Sequence, residues 1–299
     1  MESGKNSVKR SLSDKIISGY NEFYFSLVEP LLLRLARARY EKMYRADETE
    51  PFISVCMPTY NRAELLIKRS VPSILAQTYE NFELVIVGDH CTDRTEELVS
   101  KIKDPRIRFY NLPSRGYRYP PTAENHWLCG FIVAANQAIK MARGKWIARI
   151  DDDDSWTPDH LEALLRFAQA GNFEFASSQY TEERHGQRRI VNGNEMQGPY
   201  YNKIIKPIKG DNPKVGGHLT WLFRSYLKFF KYNLDCRRKS WNRTGDTDFS
   251  TRLFKAGVRL GFMEKPLGWY LPRPGEQTVG SEAYKHSAAE KLKHFEFKN

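Results

Sequence analysis

The stretch ANQAIKMARGKWIARIDDDDSWTPDHL, residues 135–161, joins the end of a helical pattern, a short apolar run, four adjacent aspartates and the start of a second helical pattern. Trp146 to Ile150 (WIARI) reads as a buried strand. Thr157 followed by Pro158 predicts a helix start, with Thr157 as N-cap and Pro158 at the first helical position. Asp151 to Asp154 therefore stand at the carboxyl end of a strand and in front of a helix N-terminus. Carboxylates this close raise one another's pKa and repel. A divalent cation removes that penalty, because hard cations prefer carboxylate oxygens, and the positive end of the helix dipole adds to it. The plainer alternative is a solvated acidic loop with an Asp cap; the flanking strand and helix favour a metal site.

Upstream the same alternation repeats. Phe52 to Met57 (FISVCM), Phe82 to Val87 (FELVIV) and Arg106 to Leu112 read as strands, and Ala63 to Gln77, Thr92 to Lys103 and Ile132 to Ala142 as helices. Asp93 with Glu96 is an acidic version of a capping box. The pattern predicts an α/β fold with a mostly parallel sheet and helices on both faces, in which ligands sit beyond the carboxyl ends of the strands. Two turns fall at such ends, PTYNR (58–62) and GDHCTD (88–93). Downstream, Phe173 to Gln179 reads as a strand, 184–217 as loops around a hairpin, Leu219 to Phe223 as a short apolar run, and Asp246 to Ala256 as a helix closed by Gly257.

The ordered set PTYNR, GDHCTDRT (88–95) and residues 135–161 resembles the family 2 glycosyltransferases of GT-A fold, well over about residues 51–165 and more loosely to about 272. The resemblance implies a Rossmann-like sheet, a glycosyltransferase domain over 51–275 (nucleotide-sugar half 51–155, acceptor half 156–275), an N-terminal helical extension over 1–50 and a helical tail over 276–299. It implies that Pro58, Thr59 and Tyr60 line the nucleotide base with Tyr60 stacked on it, and that Asn61 and Asp152 belong to the same donor-binding set. Asp89 would accept a hydrogen bond from base or ribose, and Asp151 and Asp153 would form the Asp-x-Asp pair for Mn2+ or Mg2+, Asp153 being the stronger direct ligand. Asp246, in GDTDF (245–249), takes the place of the general base that deprotonates a sugar hydroxyl. Departures are Gly88 and His90 in the second turn, where the family has an acid and a small residue, and Gly245 where a Glu often precedes the base. The expected reaction inverts the anomeric centre and moves a sugar from a nucleotide-diphosphate donor, UDP-sugar by default, to a hydroxyl in polysaccharide or glycolipid assembly.

Composition narrows the rivals. Four cysteines with no CxxC spacing exclude a disulfide framework and a structural zinc site. Residues 184–243 hold 14 Lys and Arg against 3 Asp and Glu, which is the whole net charge of +11. Interleaved with Trp221, Phe223, Tyr226, Phe229, Phe230, Tyr232 and Trp241, these cations fit either an anionic, lipid-linked acceptor or a basic face over an ordinary aromatic core. No nucleic-acid motif accompanies them, so a nucleic-acid partner is not expected. A nucleotidyltransferase would share the aspartates and metal but needs an early Gly-rich phosphate loop, and PTYNR stands there instead. Ile16 to Met43 has helical spacing that Pro30 should break or kink; it is expected to pack on the main domain, with an amphipathic membrane-surface or partner helix as the alternative. With no apolar run long enough to span a bilayer, a cytoplasmic location is expected, with peripheral contact at the cytoplasmic face of a membrane left open. The loop Pro113 to Leu128, which carries Arg115, Tyr117, Arg118, Tyr119, His126 and Trp127, is expected to cover the donor or touch the acceptor, a purely structural excursion being the alternative.

Overall fold

A computed structural model describes residues 11–44, 49–195, 214–239, 243–283 and Lys293. The helices are α1 (Leu12–Tyr40), α2 (Ala63–Leu65), α3 (Val71–Leu75), α4 (Thr95–Ser100), α5 (Ala123–Cys129), α6 (Ile132–Met141), α7 (His160–Ala170) and α8 (Gly245–Ala256). The strands are β1 (Ile53–Thr59), β2 (Phe82–Gly88), β3 (Ile107–Asn111), β4 (Trp146–Arg149), β5 (Ser155–Trp156), β6 (Phe175–Arg184), β7 (Gln187–Val191), β8 (Asn194–Glu195), β9 (Lys214–Val215), β10 (Trp221–Arg224) and β11 (Leu260–Tyr270).

Every residue of β1 and β2 is buried, as expected for strands covered on both faces. Side chains alternate between two cores: Val85 and Val87 point into one with α6 and α8, and Leu84 and Ile86 into the other with α3 and α7. The sheet order is β3-β2-β1-β4-β10-β6-β11-β5, with β7 paired to β6. β3, β2, β1 and β4 are parallel, so Thr59, Gly88 and Arg149 end at one edge. β10 enters antiparallel, with Trp221 opposite Arg149, which brings the chain just before Trp221 to that same edge. The geometry of the carboxyl edge beside β4 follows from this reversal.

The predicted strands and helices of the first half are present with small shifts. α4 begins three residues later than expected, because the Asn61 side chain accepts from the backbone N–H of Thr92 and ties that turn to the end of β1. α7 begins at His160, not Pro158: the Thr157 hydroxyl is engaged with Asp159 and with the Leu267 carbonyl, and so does not cap. α2 runs into α3 through a π turn, Leu66–Ser70. The hairpin in 184–217 is β6–β7, turning at His185–Gly186. β5 and β11 were not foreseen. β11 carries Glu264, Lys265 and Pro266 in its middle, and its register against β6 shifts at Pro266.

α1 starts at a capping box, Ser11 with Asp14, and continues through Pro30 as one helix of 29 residues. Its loss of one backbone donor at Pro30 is offset by packing: Leu33 and Ala36 are in the core, Arg37 donates to Glu174 at 2.7 Å, and buried Glu29 pairs with Arg252 of α8. The extension thus packs on the main domain by one face. The expected helical tail falls largely outside the described residues, which include 276–283 of it, with the 3₁₀ turn Gly280–Glu282, and Lys293, whose carbonyl accepts from the Ala123 N–H. All four cysteines are free and buried.

Candidate active site

A cavity of about 630 Å³ opens at the carboxyl edge of β1, β2 and β4 and is lined by Pro58, Thr59, Tyr60, Asn61, Asp89, Asp151, Asp152, Asp153 and Asp246. The structure therefore brings every sequence-selected residue to one place. Their surroundings divide them into two sets.

On the β1–β2 side each carboxylate has a fixed cation. Asp89, 2% exposed, accepts from Arg118 at 2.6 Å and lies 3.2 Å from Arg115, both from the loop 113–128. Arg115 also stacks 4.4 Å from the centroid of Tyr60. That loop thus lies against the residues expected to bind the base. Buried Asp152 accepts from the Thr59 hydroxyl at 2.7 Å and from Arg62 at 2.8 Å. Arg62 reaches Asp153 as well, at 2.9 Å, so it is no bystander at a helix start. Asn61 takes a left-handed backbone (φ 48°), and its side chain links the first turn to the second. Asp93 accepts from the N–H of Thr95 and of Ala63, which leaves Asp89 free of any capping duty.

On the β4–β10 side three carboxylates surround one histidine. His218 Nε2 lies 2.5 Å from Asp151 and 3.8 Å from Asp154, and its Nδ1 lies 3.6 Å from Asp246. Burial opposes the charged imidazolium, but Asp151 and the contact with Asp246 outweigh it and raise its pKa to about 10. Asp151 is held low despite burial by Arg149, a buried arginine of β4, and by His218. Asp246 is likewise held low against its burial by His218, so it stays ionised at neutral pH. Asp154 is the exception: burial first, then Asp153, pushes its carboxyl well above the usual range, and neither of its oxygens has a hydrogen-bond partner among the described residues. Ligand atoms of Asp151, Asp154 and His218 all lie within 4.8 Å of one another. Carboxylates with one imidazole suit manganese, and an orphaned buried carboxylate is what such a cation would satisfy. The residues present fit a divalent ion. Asp153 lies outside this group, on Arg62.

Asp248, two residues on from Asp246, sits in a buried ion network with Arg252 and Lys239 and does not line the cavity. His218, Arg149 and Asp154 were not singled out from sequence. The readable signal for His218 was Gly216-Gly217 before an apolar run: a Cβ at Gly216 would meet the Ser178 carbonyl at 2.1 Å, so the chain passes against β6 there.

A family profile described as Glycosyl transferase family 2 matches residues 54–119 and 122–230, more than half of the chain. The chain belongs to glycosyl transferase family 2. Among family members, an uncharacterized glycosyltransferase of Haemophilus influenzae is 31% identical over 242 residues, covering 73% of this chain and 90% of that protein. An Escherichia coli protein named UDP-Glc:alpha-D-GlcNAc-diphosphoundecaprenol beta-1,3-glucosyltransferase is 32% identical over 187 residues, 60% of this chain and 63% of that one. The chain spans only 27% of the length of another relative, an uncharacterized glycosyltransferase of Rickettsia felis (35% identity over 178 residues, 58% of this chain). Among solved structures, a Pyrobaculum calidifontis mannosyltransferase in complex with GDP-Man and Mn2+ superposes with a TM-score of 0.52 at 18% identity, covering 85% of this chain and 68% of that one. S. aureus TarS in complex with UDP-GlcNAc gives 0.51 at 19%, covering 75% and 60%. These likenesses establish the GT-A fold of this family 2 chain.

Proposed function

We propose that this family 2 chain is a metal-dependent, inverting glycosyltransferase that moves a sugar from a nucleotide-diphosphate donor to a hydroxyl acceptor in glycan or glycolipid assembly. The observation that carries the reading is one cavity holding the Tyr60–Asp89 pocket, the Asp151–Asp154–His218 group and Asp246 together. Tyr60 offers a face for a base and Thr59 and Asp89 line the same wall, while Arg62 and Arg273 add guanidinium groups that suit a diphosphate. Asp151, Asp154 and His218 would hold the ion, His218 giving up its Nε2 proton to bind through that nitrogen and keeping the Nδ1 proton toward Asp246. When bound it supplies Lewis-acid stabilisation of the departing diphosphate.

Asp246 then does the proton work. Its ionised carboxylate accepts the proton of the acceptor hydroxyl as that oxygen bonds to the anomeric carbon. The bond from that carbon to the diphosphate oxygen breaks, its electron pair leaves with the nucleoside diphosphate, and attack from the opposite face inverts the centre. His218 Nδ1, 3.6 Å from Asp246, keeps its proton toward that carboxylate and so favours its ionised form.

A uridine donor is the first choice: one relative is named for UDP-Glc and one fold neighbour was solved with UDP-GlcNAc, although another holds GDP-Man. The named acceptor of the E. coli relative is a sugar on diphosphoundecaprenol, which supports a lipid-linked acceptor here. A thermal-shift screen of UDP, GDP and dTDP and their sugars, with and without Mn2+, tests the donor site, since a ligand of the native state raises the melting temperature. Product analysis tests the reaction. Release of nucleoside diphosphate supports sugar transfer; release of pyrophosphate would turn the reading to nucleotidyl transfer.

A further inference from the structure

α1 is apolar on two faces, and the domain covers only one of them. Leu33 and Ala36 are in the core. Turned away from it stand Leu12, Ile16, Tyr20, Phe23, Leu27, Leu31 and Leu35, each between 55% and 74% exposed. Their spacing of four, four, three, four, four and four residues keeps them on one side of the helix. At the helical rise this stripe is about 35 Å long. A helix apolar all round normally has cover all round, and among the described residues nothing of the domain supplies it here.

Charge selects the cover. The exposed charged residues of α1 are Lys15, Glu22, Arg34 and Arg39, with Lys42 exposed on the turn that follows. The lone acid among them, Glu22, is already paired with Lys255 at 2.6 Å. Among the described residues the stripe is therefore bordered by unpaired positive charge, and Arg34 lies within it. A second copy of the chain is disfavoured by the same count. Parallel stripes would set Arg34 against Arg34, and antiparallel ones would set it against the Lys15 end. An anionic lipid surface answers both features, apolar side chains entering the acyl boundary and cations staying at the headgroups, with Tyr20 and Tyr24 suited to the interface between them.

We infer that the outer face of α1 docks this protein on an anionic membrane surface. The inference agrees with the lipid-linked acceptor proposed above and rests on that reading only for its purpose; the binding itself needs no turnover. The other basic candidate, residues 184–243, lies partly outside the described residues, Lys203, Lys206, Lys209 and Trp241 among them. Of the basic and aromatic residues described between 214 and 239, Trp221, Phe223, Phe230 and Tyr232 are core, Lys239 pairs with Asp248, and Arg238 pairs with Asp14 and Asp235.

The test is co-sedimentation of the full chain with phosphatidylcholine vesicles and with vesicles containing about a third phosphatidylglycerol, at low and at high salt. The expected result is partition into the anionic vesicles, weakened by salt because exposed charges are screened. Leu27→Glu with Leu31→Glu should lower that partition about tenfold or more while leaving the melting temperature in place, since both side chains face out. Arg34→Glu with Arg39→Glu should reduce anionic binding to the neutral-vesicle level. If the glutamates disturb folding, Leu27→Gln with Leu31→Gln serves instead. No partition into either vesicle, partition unchanged by the leucine variants, or a concentration-dependent dimer that those variants dissociate would each overturn the inference. Melting curves with UDP and Mn2+ keep the two ideas apart. Vesicle binding without a nucleotide shift would sink the enzymatic reading and leave this surface standing, and the reverse would sink the surface alone.

Discussion

The two walls of the cavity use the same residue type in opposite ways. Asp89 and Asp152 each meet an arginine and a second donor or cation, and so form a finished, rigid surface. Asp151, Asp154 and Asp246 instead crowd around one histidine, and both buried oxygens of Asp154 lack a donor among the described residues. Fixed guanidinium groups neutralise carboxylates permanently and suit recognition of an uncharged base or ribose. A wall short of cations is stable only with a bound proton or metal, which suits a site whose charge must change during a reaction.

The sharpest way to break this contrast is at Asp246. Asp246→Asn keeps the shape of the wall and its hydrogen bond to the N–H of Thr247 while removing the base. Turnover should fall by about 10²–10⁴-fold with nucleotide binding retained, the usual size of a general-base contribution. Single-turnover kinetics beside calorimetric titration of the nucleoside diphosphate decide it. Near-normal turnover would remove Asp246 from the mechanism, and the buried ion network around Asp248 shows that the neighbouring acid is no substitute.

A second test sets the two walls against each other through the metal. Asp154→Asn should weaken manganese-dependent nucleotide affinity by at least the ~10–100-fold that outer-shell changes cost at metal sites. Asp153→Asn, whose carboxylate is already on Arg62, should cost less. EDTA should erase the difference between the Asp154 variant and the parent. A larger loss from Asp153 than from Asp154 would return the metal to the Asp151–Asp153 pair that the sequence pattern suggested.

The finished wall is tested by Arg118→Gln. Asp89 keeps Arg115, so its burial remains partly compensated and the fold should hold. Nucleoside diphosphate affinity should drop by about 3- to 10-fold, the size of one typical net hydrogen bond, because Arg115 remains on Asp89. If affinity is untouched, loop 113–128 is structural and the Asp89 wall does not read the donor.

The same contrast explains what the sequence made legible. β1, β2 and β4 are short apolar runs buried on both faces, and each ends in a turn of polar residues, so strand, helix and edge could all be read from pattern. The site residues of the arginine-paired wall follow directly, because they lie within a few residues of those strand ends. The other wall is assembled across long separations: His218 precedes an antiparallel strand inserted beside β4, and Asp154 is distinguished from Asp153 only by which of them turns inward. No local pattern marks either event. β11 was hidden for another reason, since Glu264, Lys265 and Pro266 interrupt its apolar character and its pairing tolerates them through a register shift. α1 was legible as a helix, but Pro30 predicts a break that tertiary packing overrides.

The smallest expected effect is thermodynamic and contrasts two histidines. His218 stands among carboxylates, which favour its proton while no cation is bound; His160 sits in the core, stacked 4.0 Å from Trp156, with Nδ1–H donating to the Leu267 carbonyl. Its Nε2 is buried with no hydrogen-bond partner among the described residues, so a second proton would have no acceptor there. Burial accordingly pushes its pKa down to about 3. The unfolded chain, with His near 6.5, therefore binds more protons than the folded one between about pH 3 and 6.5. Stability from this site is fully present above pH 6.5 and is lost as pH falls, at up to about 1.4 kcal/mol per pH unit. His126, similarly pushed to about 3 by burial and by Arg115 and Arg62, adds to the slope, so the test must be differential. His160→Gln keeps an N–H for Leu267 but does not titrate. Urea unfolding between pH 5 and 7.5 should show the variant less stable than the parent at the upper end, where it loses the Trp156 stack. Its pH dependence should be shallower below 6.5 by about one proton. Parallel curves for the two proteins would mean that His160 takes up its proton without unfolding and that the core at Trp156 is wetter than the packing indicates.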